Sequence, residues 1–368
     1  MMGTDGGLRP DNSHSIQVHA RVQLHRSTLM LEEFLNVAIL VLSIVVLYQG
    51  DYLTPVYPSV DERGLILVTG ASSGIGKHAT QYLAAKGFHV LAGVRRQAQY
   101  DVLLSNSSSN ERKANIMPLL IDVTSSESIS KAVDVVNRVS TDLNLPLIAI
   151  VNNAGIALTQ QPLEKTDQSE IRRVFDTNVF GAIDVTQQFL PTIRQSHGRI
   201  IMISSLAGII AGPMTSTYAA SKRALESYSD SLRRELAPFQ ISVSVIEPGY
   251  IQSNIIINSN NNSNGKHESN TMSSPSAGDD SYDRYVAMQK AVAEGDKNGV
   301  ENGDPPIVSS EAIYDAIIST KPKTRYMVGK LHKTIYFFTT VLTDRYLDWL
   351  LTSGMLKYFD FCIFSSHC

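Results

Sequence analysis

A chain of 368 residues with a hydrophobic share of 43% is long enough for one large core or for two average domains. Its formal net charge of −3 gives no electrostatic reason to expect a nucleic-acid partner. The two cysteines, Cys362 and Cys368, sit together within the last seven residues; no disulfide framework can be read from them, they form no CxxC metal pair, a bridge between them would need an oxidising compartment, and no metal site is expected.

In chain order, residues 1–29 are polar and mixed and are expected to be disordered. Residues 30–48 form a hydrophobic segment whose charge-free part, Phe34 to Tyr48, is 15 residues long. A spanning helix wants about 20, so the segment either anchors the chain in a membrane or lies as an apolar helix on an interface or on the domain. Membrane anchoring is the expectation. Arg9, Arg21 and Arg26 precede the run and Arg63 follows it, which favours a cytoplasmic N-terminus. A linker over 49–63 leads into an α/β region spanning 64–330, interrupted by an Asn/Ser-rich insertion at 254–280, and an apolar tail occupies 331–368.

The run Leu65 to Val68 favours a strand and passes directly into Thr69-Gly70-Ala71-Ser72-Ser73-Gly74-Ile75-Gly76, after which Ala79, Tyr82, Leu83 and Ala84 repeat like a helix face. A glycine turn between a strand and a helix start suits a pyrophosphate, because backbone amides can approach it closely and the helix end is partly positive. The next strand, Phe88 to Val94, ends in Arg95-Arg96 with no acidic residue before Asp101. At that strand end an acidic side chain would bind a ribose 2′-hydroxyl and an arginine a 2′-phosphate, so Arg95 argues for NADP(H) over NAD(H). Asp122, after the strand Ile116 to Ile121, is a candidate for the adenine amino group or for a helix cap near Ser125.

Further strands at Leu147 to Val151, Arg199 to Ile203 and Ile241 to Ile246 lead into Asn152-Asn153-Ala154-Gly155, Ser204-Ser205 and Glu247-Pro248-Gly249. Strands alternating with helices predict a doubly wound parallel sheet of the Rossmann type, with helices on both faces and ligands at the strand carboxyl ends. Tyr218 and Lys222 stand four apart on a predicted helix, which places an ammonium beside a phenol and favours the phenolate. Such a tyrosine can exchange a proton with an alcohol or alkoxide.

These motifs together resemble the short-chain dehydrogenase/reductase family: TGASSGIG at Thr69 to Gly76, DV at Asp122-Val123, NNAG at Asn152 to Gly155, NVFG at Asn178 to Gly181, ISS at Ile203 to Ser205, YAASK at Tyr218 to Lys222 and PG at Pro248-Gly249. The resemblance implies Tyr218 as acid/base, Lys222 on the nicotinamide ribose, Ser205 on the substrate oxygen and Asn178 supporting a water that reaches Lys222. It further implies a cofactor lined by Gly70, Ser72, Ser73, Gly74, Ile75, Gly76, Arg95, Asp122, Val123, Asn152, Ala154, Gly155, Pro248, Gly249 and Ser253. Ser253 stands where the family often has threonine. The tail, with Tyr336, Phe337, Val341, Leu342, Leu347 and Leu350 at helical spacing, is similar to retinol- and hydroxysteroid-dehydrogenase-like members. There it would close a lipophilic pocket, and Tyr285 and Met288 in the run Tyr282 to Glu294 would face the ligand. The implied activity is interconversion of a carbonyl and an alcohol on a lipophilic small molecule, at the endoplasmic reticulum membrane, with homo-oligomers common among relatives. A reductase of a fatty acyl or sphingoid ketone is the alternative substrate reading. A silent NADP-binding scaffold is the alternative of another class, and the intact Ser205–Tyr218–Lys222 set speaks against it.

Overall fold

The computed structural model describes residues 34–43, 54–61, 63–105, 115–158, 160–252, 280–329 and 332–352. The expected disordered N-terminus, the Asn/Ser-rich insertion, Ser253 and both cysteines lie outside the described residues, as does much of the hydrophobic segment. The chain divides into two units, Met1–Val56 and Tyr57–Cys368. In the first, residues 34–43 are helical with exposed apolar side chains. Among the described residues no helix is long and apolar enough to cross a membrane.

The second unit is built on seven parallel strands: β1 (Leu65–Thr69), β2 (His89–Val94), β3 (Ile116–Leu120), β4 (Leu147–Asn152), β5 (Arg199–Ile203), β6 (Ser242–Pro248) and β7 (Arg325–Val328). Their order across the sheet is β3-β2-β1-β4-β5-β6-β7. The order reverses between β1 and β4, where Val68 pairs with Ala92 on one side and Val151 on the other. That reversal opens a crevice at the carboxyl ends of the strands, where ligands bind in sheets of this kind.

The strands are apolar almost throughout because both faces are covered. Ile66 and Val68 of β1 point to one layer, packing with α1 (Gly74–Ala85) through Ala79 and Leu83 and with α8 (Ile307–Ile318) through Ile313 and Ile317. Leu65 and Leu67 point to the other layer. There they meet α3 (Ser126–Leu143), α5 (Gly181–Gln195) and α6 (Ser216–Leu236), through Ile129, Phe189 and Leu225. Burying each such leucine is worth about 1.5–3 kcal/mol. The remaining helices are α2 (Gln97–Ser105), α4 (Gln168–Phe175), α7 (Asp280–Glu301), α9 (His332–Val341) and α10 (Asp344–Thr352).

Two details depart from the sequence reading. Arg325–Val328, where no strand was expected, is strand β7, with Val245 paired to Arg325 and Ile246 to Tyr326. Four residues are too few to display a period, and the neighbouring strand decides their state. Within the expected linker, Tyr57 is buried and its amide donates to the Thr320 carbonyl. The fully buried Arg199 guanidinium donates to the Pro58 carbonyl at 2.6 Å, so the end of that segment packs on the body of the second unit.

Candidate active site

The crevice opens into a cavity of about 1390 Å³. The glycine turn forms one wall. Gly70 has φ +64, and a side chain there would also fall 2.9 Å from the Ala154 Cα. A Cβ on Gly76 would meet Asn153 Nδ2 and lie 2.5 Å from the Gly70 carbonyl oxygen, so the helix can start this close only as glycine. The first turn of α1 has no side-chain cap, which leaves its amides directed at the cavity. These features fit a nucleotide pyrophosphate.

Most of the sequence-predicted cofactor residues line this cavity: Gly70, Ser72, Ser73, Gly74, Ile75, Arg95, Asp122, Val123, Ala154, Gly155, Pro248 and Gly249. Gly76 lies behind it. Asn152 does not face it either. Its side chain is buried in the sheet and donates to Thr186 Oγ1 at 2.9 Å, because even-numbered alternation along β4 turns it towards α5. Its neighbour Asn153 lines the cavity and clamps the glycine turn, donating to the Thr69 carbonyl at 2.9 Å and the Gly70 carbonyl at 3.2 Å. Asp122 accepts from Thr124 in a tight turn, while Ser125 caps α3. Arg95 and Arg96 stand exposed at the cavity edge with no carboxylate partner among the described residues.

Ser205, Tyr218 and Lys222 meet at the other side. Ser205 follows β5, and its side chain accepts from the Ala207 amide at 3.2 Å. Lys222 is buried one turn along α6; its Nζ donates to the Ile203 carbonyl at 2.8 Å and lies 5.7 Å from the Tyr218 ring centre. Asn178 is buried behind them in a five-residue π turn, Asp176–Phe180, between α4 and α5. Such a bulge widens the helix and re-aims a side chain. Its amide is committed to the Ile156 backbone, accepting at 2.8 Å and donating at 2.9 Å, and to Ser221 Oγ at 3.0 Å.

The electrostatics differ from the sequence expectation. Burial pushes the Tyr218 phenol above its usual pKa; the Ser205 hydroxyl opposes that and the charge of Asp296 adds to it. The expected depression by Lys222 is not the governing effect, because the ammonium is turned to Ile203 and is itself buried. Burial pulls Lys222 down to about 8, and the Glu226 carboxylate one turn further along α6 counteracts this. Glu226 belongs to a buried ionic cluster. Arg325 reaches Glu226 at 3.2 Å, Asp230 at 2.8 Å and Glu247 at 3.1 Å, and Glu247 also contacts His332 at 3.2 Å. Sequence reasoning missed this cluster, although Tyr218, Lys222 and Glu226 recur at four-residue spacing on one helix face.

The cover of the cavity comes from α7, α9 and α10. Met288 lines it as expected and Tyr285 does not. In the tail the inward face is Ile335, Phe338, Leu347 and Leu351, whereas Tyr336, Phe337 and Val341 are exposed. The helical spacing was readable, but not which stripe turns inward.

Comparison with known proteins agrees with this geometry. Residues 64–264 match the family model described as short chain dehydrogenase. An uncharacterized oxidoreductase of Bacillus subtilis, YusZ, is 36% identical over 297 residues, covering 80% of this chain and 98% of the relative. Human retinol dehydrogenase 16 is 31% identical over 292 residues, covering 78% and 89%. A solved short-chain dehydrogenase from Streptomyces avermitilis superposes with a TM-score of 0.59 at 27% identity, covering 82% of this chain and 98% of that one. The chain belongs to the short-chain dehydrogenase/reductase family of NAD(P)-dependent oxidoreductases.

Proposed function

We propose that the chain interconverts a carbonyl and an alcohol on a lipophilic small molecule, with NADP(H) as cofactor and Tyr218 as acid/base. The observation that carries this reading is the convergence of Ser205, Tyr218 and Lys222 on the same cavity as the uncapped start of α1. When bound, the nicotinamide supplies or takes up a hydride. The chain does the rest. Ser205 and Tyr218, which line the same cavity, hold the substrate oxygen. In reduction the phenol gives that oxygen its proton, and in oxidation the phenolate removes one. Lys222 keeps positive charge beside the developing phenolate. Asn178 fixes the loop at Ile156 and, as proposed, supports the water through which Lys222 is reprotonated.

Arg95 and Arg96, unpaired with carboxylates at the end of β2, support a 2′-phosphate. Ile335, Phe338, Leu347 and Leu351 support a lipophilic substrate. Cofactor oxidation and reduction across retinal, steroid ketones, long-chain ketones and the matching alcohols tests the reading. Turnover of apolar members with NADPH is the expected result, and binding of NADPH without turnover of any member would contradict it. The exposed apolar helix at 34–43 supports association of the N-terminal segment with a lipid surface. Co-flotation with phosphatidylcholine vesicles that disappears when residues 1–56 are removed is the expected behaviour.

A further inference from the structure

Inside a cavity with largely apolar cover, α7 presents one carboxylate that the proposed chemistry does not use. Asp296 lines the cavity, and both its oxygens are held: Oδ1 accepts from the Tyr250 hydroxyl at 2.8 Å and Oδ2 accepts from the Gln160 side-chain amide. Gln160 and Tyr250 line the same cavity, and Gln289 on α7 donates to the Gln160 carbonyl at 2.6 Å. Both donors to Asp296 are neutral. Among the described residues no lysine or arginine is paired with it.

A half-buried carboxylate held only by neutral donors keeps an uncompensated charge, which burial makes costly. Burial raises the Asp296 pKa against the two hydrogen bonds, and an incoming cation would offset the same cost. Its field also reaches Tyr218, where it disfavours the phenolate. A neutral ligand would leave that opposition in place; a cation would remove it. We propose that Asp296, positioned by Gln160 and Tyr250, is a binding site for a protonated amine on the substrate. The substrate class becomes a lipophilic amino ketone or amino alcohol, whose ammonium group docks on Asp296 while its oxygen reaches Ser205 and Tyr218. Binding of the cation would then ease proton removal at Tyr218 by neutralising the opposing charge. This rests on the reading of the cavity as the active site.

The test is calorimetric titration of the enzyme–NADPH complex at neutral pH with octylammonium and with octanol, in the full chain and in Asp296→Asn. An ammonium held by a carboxylate is worth about tenfold or more over a hydroxyl. The expected result is at least that preference in the native chain, falling to about one in the variant. Equal binding of the two probes by the native chain, or a preference that survives in Asp296→Asn, would overturn the proposal. Parallel loss of both probes in the variant would show a structural tether and would also overturn it. Should Asp296→Asn fail to fold, Asp296→Ser carries the same comparison. Because binding is read without turnover, a retained ammonium preference in a chain that oxidises no NADPH would support the site while sinking the carbonyl chemistry.

Discussion

The Lys222 ammonium and the Ile203 carbonyl, 2.8 Å apart, tie the catalytic helix to the end of the strand that delivers Ser205. This link holds a charge where water is scarce, and its cost is visible in a lysine pulled from 10.5 down to about 8. The fold therefore binds that proton less tightly than the unfolded chain does. The penalty is present in full below pH 8 and is relieved as pH rises towards 10.5. At about 1.4 kcal/mol per pH unit, the stability of Lys222→Met relative to the native chain should decline by about 3 kcal/mol between pH 7 and 10.5. Urea unfolding at intervals across that range checks this; a pH-independent difference would show that Lys222 holds its proton in the fold as tightly as in the unfolded chain.

Arg95→Ala should separate the two nicotinamide cofactors. A charge-assisted contact to a 2′-phosphate is worth about 1.5–3 kcal/mol, or about 10- to 100-fold. The KM for NADPH should rise by that factor while the KM for NADH stays within about twofold. Unchanged selectivity would remove the basis for an NADP(H) preference.

Arg325→Met should destabilise the fold far more than an ordinary surface change. It leaves Glu226, Glu247 and Asp230 facing one another without their shared cation. Losing one partner of a buried ion cluster costs about 3–5 kcal/mol. The double variant Arg325→Met with Glu226→Gln should recover part of that loss in thermal melts, since it removes one of the stranded charges.

Gly76→Ala should abolish dinucleotide binding while the sheet remains. The added methyl would collide with Asn153 and the Gly70 carbonyl, which shape the turn at the cavity wall. Overpacking of this kind costs about 1–3 kcal/mol. Circular dichroism should show a folded chain and calorimetry should show no NADPH binding.

Much of the fold could be read from the chain because strands buried on both faces appear as unbroken apolar runs, as in Leu65 to Val68 and Ile200 to Ile203. The glycine turn and the Tyr218–Lys222 pair were legible because each has a fixed local spacing. What escaped depends on contacts between distant segments. Strand β7 exists because β6 offers it an edge. Asn152 and Asn153 are adjacent in sequence, and only the pleat decides which one meets the cavity. Asp296, Gln160 and Tyr250 come from three separate segments whose meeting no local pattern announces. The acidity of Tyr218 followed the same rule: spacing placed Lys222 nearby, but burial of both groups set the direction.

In the proposed reaction Tyr218 moves the proton. Rapid mixing of the enzyme–NADPH complex with a lipophilic ketone substrate, followed by loss of NADPH fluorescence, reads that step in the native chain and in Tyr218→Phe. The variant should bind NADPH as tightly as the native chain but oxidise it about 10²- to 10⁴-fold more slowly. Oxidation by Tyr218→Phe at the native rate would contradict this role.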